Sequence, residues 1–231
     1  MANTLSTAIH RRRFGIATTL GIALGWFAAV SCGSSNDHGG GSLNGLPGSA
    51  ATQEQVARGR YLVIAGGCSD CHNHGKDDPS DPMWLAGYVD GTPGQPFQIG
   101  PFKVYPKNLT PDPATGLGSV TDRQVFNALR FGLHPDEAPD AEITSTTPGQ
   151  GNFPATPHYL GPPMPWPAIR HMTDDDLWSV VAYLKHGIKA VNNAVPESDA
   201  PPDFWASAYL PEIVGPAVIP AYPTSSEAFV P

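Results

Sequence analysis

Five consecutive residues, Cys68-Ser69-Asp70-Cys71-His72, put two thiols and an imidazole within little more than one turn of chain. Three chemistries start from such a thiol pair. A dithiol–disulfide couple of the thioredoxin kind sits in a βαβ pattern, and none surrounds this stretch. A structural zinc site needs a second set of ligands, and the remaining cysteine, Cys32, has no paired neighbour. The third chemistry uses all three side chains. Thiols spaced C-x-x-C can add across the two vinyl groups of a haem as thioethers, and a histidine directly after the second is held beneath the iron as proximal ligand. The spacing therefore predicts one covalently bound haem c on Cys68 and Cys71, with His72 as a metal ligand.

A haem that only carries electrons needs a sixth ligand as well. Met83 follows His72 too closely in sequence to reach the other face, and Met172 has a structural role at the start of a helix. Met164 stands in Pro162-Pro163-Met164-Pro165-Trp166. Prolines on both sides fix the backbone and remove competing N–H donors, which suits a side chain projecting from a rigid loop. The plain alternative is Met164 as core filler. His134, His158 and His171 are the fallback ligands. Tyr105, Asn108, Arg130 and Trp166 are candidate donors to the haem propionates.

The elements that must position these groups are few. Thr52-Gln53-Glu54-Gln55 has the form of a capping box and predicts a helix to about Ala65, closed by Gly66-Gly67. Gly59 inside it implies close approach of another helix. Thr121 and Gln124 form a second box, with Val120 and Val125 at hydrophobic-staple positions and Gly132 as terminator. Thr173 and Asp176 form a third, with Met172 and Leu177 as the staple; Leu177, Val180, Val181 and Leu184 then repeat at i, i+3, i+4, i+7 up to Gly187. Between these helices, prolines forbid long regular elements over 73–119 and 133–163. The first stretch reads as haem-wrapping loop and the second as a long surface loop. The fold class is mainly α: about three short helices with long irregular loops around one haem.

The 231 residues carry a formal charge of −8, with 25 Gly and 26 Pro, yet 40% are hydrophobic, too many for general disorder. Residues 1–31 read as an export signal. Arg11, Arg12 and Arg13 precede the uncharged apolar run from Phe14 to Val30, and small residues follow. At 17 residues that run sits at the lower limit for a membrane span. Ala29-Val30-Ser31-Cys32 resembles a bacterial lipobox, which makes Cys32 the candidate lipidation site. The arginines also resemble a twin-arginine signal, a route for folded proteins; c-type haem is attached to an unfolded chain after export. Residues 32–51 read as a flexible Gly/Ser linker, with His38 solvated. Residues 52–198 form the predicted domain, and 199–231 a proline-rich extension over its surface. Without residues 1–31 the chain has 10 basic and 21 acidic side chains. An acidic surface excludes nucleic acid as a partner and can steer docking to a basic patch.

From about residue 52 to 198 the sequence resembles the cytochrome c family, in particular monohaem modules related to the cytochrome c subunits of periplasmic dehydrogenases. The resemblance rests on Ala57-Arg58-Gly59-Arg60-Tyr61-Leu62 before the C-x-x-C-H, on Asn108-Leu109-Thr110-Pro111-Asp112, on Met164-Pro165-Trp166, and on Thr173-Asp174-Asp175-Asp176-Leu177 leading into Ala182-Tyr183-Leu184-Lys185. It implies a cytochrome c-like fold, His72/Met164 ligation, and a crossing of the first and last helices in which Gly59 lies opposite Tyr183. The stretch before Met164 is longer than the family's usual one, and a single C-x-x-C-H implies a single haem. The function implied is a periplasmic one-electron carrier, tethered through lipid on Cys32, whose partners are redox proteins: a dehydrogenase, an oxidase or another cytochrome. The alternative is a haem enzyme or gas sensor with an open iron position and polar groups such as His158 or His171 beside it.

Overall fold

Three threonines set the helical frame in the computed structural model, which describes residues 51–228 apart from 202, 217 and 222. The export signal, Cys32 and all but the last residue of the linker lie outside the described residues. Thr52 begins α1 (Gln53–Ala65) and Thr121 begins α3 (Asp122–Phe131). Each accepts the third helical N–H at 3.1 Å while a glutamine answers from that position at 2.9 Å. Thr173 begins α5 (Asp174–Ala182) and accepts from Asp176 N, but this box is not reciprocal. An aspartate is one methylene shorter than the residues that close such boxes. The Asp176 carboxylate instead accepts from Arg58 Nε of α1 at 2.9 Å.

α1 and α5 cross in direct contact because Gly59 has no side chain. A Cβ there would lie 1.8 Å from the Ser179 carbonyl oxygen and 2.8 Å from Tyr183 Cβ. The expected approach to Tyr183 is present, with the Ser179 backbone closer still. Regular α-helix stops at Ala182 and continues as a π-helical turn, Tyr183–Gly187, where the sequence pattern predicts unbroken α-helix. That turn buries Tyr183 and Leu184, and the Tyr183 hydroxyl accepts from Trp84 Nε1 at 3.0 Å. Val63, Leu85, Leu117, Val125, Leu129, Leu177 and Val181 complete the main core.

Further short pieces appear where proline hides periodicity: α2 (Cys68–His72), α4 (Trp166–Ile169), α6 (Pro211–Val214), and an antiparallel hairpin of β1 (Phe97–Ile99) and β2 (Phe102–Val104). The mainly helical class holds, with these two short strands added. Gly67, not Gly66, takes the left-handed conformation (φ +67°) and separates α1 from α2.

The segment 133–163 is more than a surface loop. It folds on a second small core of Leu133, Ala138, Ile143 and Phe153. Asn127 of α3 donates to the Pro139 and Ala141 carbonyls at 2.7 and 2.9 Å, and Leu133 bridges Tyr159. The apolar residues here follow no helical or strand repeat, so pattern alone could not reveal them. Beside this core the His134 and His158 rings stack with centroids 3.8 Å apart, and His158 Nδ1 pairs with the Glu137 carboxylate at 2.8 Å.

Two consequences can be measured. Gly59→Ala must push α5 off α1, so it is expected to lower stability by about 3 kcal/mol in chemical denaturation. Burial, reinforced by the neighbouring His158, brings the His134 imidazole down to about 4. In the unfolded chain it titrates near 6.5. Between those values the unfolded chain holds the extra proton, so stability falls as pH drops from about 6.5 to about 4, by on the order of 3 kcal/mol, and this group costs nothing further below that. Urea unfolding across this range should show the slope in the wild type and a shallower one in His134→Leu.

Candidate haem site

The five residues of α2 put Cys68 and Cys71 one helical turn apart, hence on one face. The turn is anchored at almost every polar atom. Ser69 is buried and its hydroxyl donates to Asp77 at 2.8 Å. Gln95 Nε2 donates to the Cys71 carbonyl at 2.9 Å, Gly87 N to the His72 carbonyl at 2.8 Å, and Asn73 Oδ1 accepts from Leu85 N at 3.0 Å. Neither thiol is set up as a nucleophile. Burial raises Cys68 to about 11, with Cys71 and Asp70 adding to it, and burial and Asp70 raise Cys71 as well. Redox-active C-x-x-C thiols are shifted the other way.

His72 is half-buried, and its Nδ1 lies 2.7 Å from the Lys107 carbonyl oxygen. A carbonyl can only accept, so Nδ1 carries the proton and Nε2 keeps its lone pair, the arrangement of a metal-ligating histidine with an oriented ring. Desolvation lowers the pKa of the ring against the opposing pull of that hydrogen bond, which keeps the imidazole neutral.

The Lys107 carbonyl is held in turn. Tyr88 N donates to Pro106 O and Leu109 N to Leu85 O, both at 2.9 Å. Gly87 lets the two segments touch. Its φ is +85°, and a Cβ there would sit 2.7 Å from both the Lys107 carbonyl carbon and the Pro106 oxygen. Neither Gly87 nor Lys107 stood out in the sequence, because a backbone carbonyl leaves no mark on residue type.

Met164 and Cys68 both pack against the main core cluster, as does Met172. Met164 sits in a tight turn: its N donates to the Gly161 carbonyl, and Trp166 N donates back to the Met164 carbonyl, each at 2.9 Å. Of the fallback ligands, His134 and His158 are stacked on each other beside the second core. His171 follows α4, and its Nδ1 is buried without a partner.

The four candidate propionate donors divide. Trp166 is buried, seated on Gly132, and its Nε1 faces the Tyr209 hydroxyl. Tyr105 is half-buried, edge-on to Tyr88 at 5.1 Å. Asn108 is spent: its amide donates to Thr115 Oγ1 and the Val191 carbonyl while its oxygen accepts from Thr110 twice. Arg130 is engaged by the Arg170 carbonyl and the Asp174 carboxylate. Arg170, absent from the expected set, is buried and leaves its Nε unpaired. Unpaired buried donors are costly unless an acceptor arrives. Arg170 Nε, without a partner among the described residues and just beyond Met164 in sequence, therefore fits a carboxylate of a haem, as the thiols and His72 fit its vinyl groups and iron.

Comparison with known proteins agrees. No family model matches the chain. It is 31% identical over 162 residues to the fructose dehydrogenase cytochrome subunit of Gluconobacter japonicus, covering 70% of this chain and 27% of that protein. It is 29% identical to the gluconate 2-dehydrogenase cytochrome c subunit of Pantoea cypripedii (69% and 29% covered). To the cytochrome c subunit of the quinone alcohol dehydrogenase of Gluconobacter oxydans it is 26% identical (71% and 29%). These relatives are cytochrome c subunits, and their names imply haem c as the cofactor of the module this chain resembles. The chain is similar to the cytochrome modules of dehydrogenases, and it spans less than a third of the length of these relatives.

Gly87→Ala tests the proximal scaffold. The added carbon forces 106–108 outward and strains a left-handed position, so stability is expected to fall by about 2 kcal/mol or more, read by denaturant unfolding.

Proposed function

We propose that this protein is a periplasmic one-electron carrier with a single haem c, attached through Cys68 and Cys71 and ligated by His72 and Met164. The observation that carries this reading is the His72–Lys107 hydrogen bond. It commits Nδ1 as donor and leaves Nε2 free, in the residue directly after two thiols that burial makes unsuited to disulfide exchange. The haem, when bound, supplies an iron that cycles between ferric and ferrous states.

The chain's own residues set the conditions for that cycle. His72 is pinned through Gly87 and Lys107, so the ligand moves little between the two states. The Met164 thioether is a soft donor that favours the ferrous form and raises the potential. Arg170 Nε supplies a donor for a carboxylate near the Met164 turn. The partner in this reading is a dehydrogenase or another respiratory redox protein, in keeping with the names of the relatives. Export under the N-terminal signal and lipid on Cys32 would hold the carrier at the membrane, with 33–51 as tether.

Absorption spectra of the exported protein, ferric and ferrous, with and without carbon monoxide, test this. The expected result is a low-spin spectrum with the far-red methionine–iron band and no response to carbon monoxide. Met164→Ala should lose that band, bind carbon monoxide and show a lower midpoint potential. A wild type that is high-spin or binds carbon monoxide readily would instead mean catalysis or sensing at an open iron.

A further inference from the structure

The segment after α5 makes polar and aromatic contacts with both halves of the site. On the side of His72, Lys107 Nζ donates to the Pro196 carbonyl at 2.7 Å and pairs with Glu197 at 2.8 Å. Asp199 N donates to the Lys103 carbonyl of β2 at 3.1 Å. Phe204 packs edge-on against Phe102 of the same strand at 4.5 Å. On the side of Met164, the Tyr209 hydroxyl donates to the Leu160 carbonyl at 3.0 Å, and its ring meets that of Trp166 at 4.8 Å.

The strongest tie is Arg170. Its Nη2 lies 2.7, 2.9 and 2.8 Å from the carbonyl oxygens of Val214, Gly215 and Pro216. Two hydrogens serve three acceptors, so at least one is shared. The guanidinium is buried and has no carboxylate partner among its hydrogen bonds. Desolvation and the nearby Arg130 both lower its pKa. A buried cation needs compensation, and here backbone dipoles of the C-terminal segment provide it. Arg170 is bound rigidly to Met164 along the chain: Arg170 N donates to Trp166 O, and Trp166 N to Met164 O, each at 2.9 Å.

From these contacts we infer that residues 196–201 and 203–216 form a strap that holds the Met164 turn in place, as ligation of a haem iron by Met164 would require, with Arg170 and Tyr209 as its positioning residues. The inference rests on the proposed Met164 ligation. Releasing the strap would free Leu160 and Arg170 at the two ends of the Met164 turn, so a thioether bound to the iron would be easier to displace while a covalent haem stayed attached.

The test is the rate at which imidazole displaces methionine in the ferric, haem-loaded full chain, followed by loss of the far-red band. Arg170→Gln should accelerate it about tenfold, as expected for a lost charge-assisted hydrogen-bond set, and Tyr209→Phe, which keeps the ring, about fivefold. Arg170→Lys, with three donors on one cation, should restore most of the wild-type rate. Val218→Ser, at an exposed position beyond the clamped carbonyls, should leave it unchanged. A merely structural role would lower the global unfolding midpoint without changing the displacement rate. Wild-type rates in both Arg170→Gln and Tyr209→Phe, with the far-red band present, overturn the strap alone. If Arg170→Gln does not fold, Tyr209→Phe decides by itself. A wild type without the band overturns the Met164 reading and the strap with it.

Discussion

The hydrogen bond from His72 Nδ1 to the Lys107 carbonyl ties together more of this chain than its 2.7 Å suggests. Its acceptor belongs to a residue that lies in no regular element, so its position has to be built from neighbours. Gly87 lets the 85–88 backbone lie against 106–109, and two backbone hydrogen bonds lock that contact. Asn108, the next residue, is fixed to the stretch after α5 through the Val191 carbonyl, and Asn193 reaches back to the Ala86 and Tyr88 carbonyls at 2.7 and 2.9 Å. The Lys107 side chain pairs with Glu197. A ring nitrogen is thus oriented by segments spread over more than a hundred residues. This explains how a domain with so much irregular chain can still hold one imidazole in one tautomer.

Charge is used in the same economical way. The sequence is acidic, and its cations are turned to internal work. Arg58 ties α1 to α5 through Asp176, Arg130 ties α3 to Asp174, and Lys185 donates from the π turn to the carbonyls of Leu117 and Val120. Arg170 and Lys185 are neutralised largely by backbone carbonyls. Burial lowers the pKa of both. Spending basic groups on the scaffold leaves carboxylates to dominate the outside, which suits docking to a basic surface at rates that fall with salt.

Local chemistry was legible in the sequence; long-range backbone geometry was not. C-x-x-C-H and three threonine caps can be read because each is a fixed residue type at fixed spacing, and the helices they announce are present. Gly59 was legible as a packing residue because a glycine inside a helix is costly unless something uses the space. The Lys107 acceptor was invisible, since every residue has a carbonyl. Asn108 is a related case. A buried amide looks the same in sequence whether it faces a ligand or, as here, stitches two loops together. The second core at 133–163 was hidden by prolines and glycines that break periodicity while leaving apolar residues free to meet. The C-terminal segment read as mere covering because its grip depends on main-chain acceptors around Arg170.

The thiols set an order of events. Cys68 opens α2, and a helix N-terminus ordinarily lowers a thiol pKa. Here five residues make too short a helix for a strong dipole, and burial wins, taking Cys68 to about 11. In the proposed carrier, thioether formation would come before folding, while both cysteines are exposed and the Lys107 carbonyl has not yet claimed His72. Folding afterwards shuts α2 against the core and brings Gly87 and Lys107 together behind the histidine. In that order, the burial that disables the thiols as free nucleophiles does not oppose attachment. It follows attachment and fixes the ligand geometry that the attached group requires.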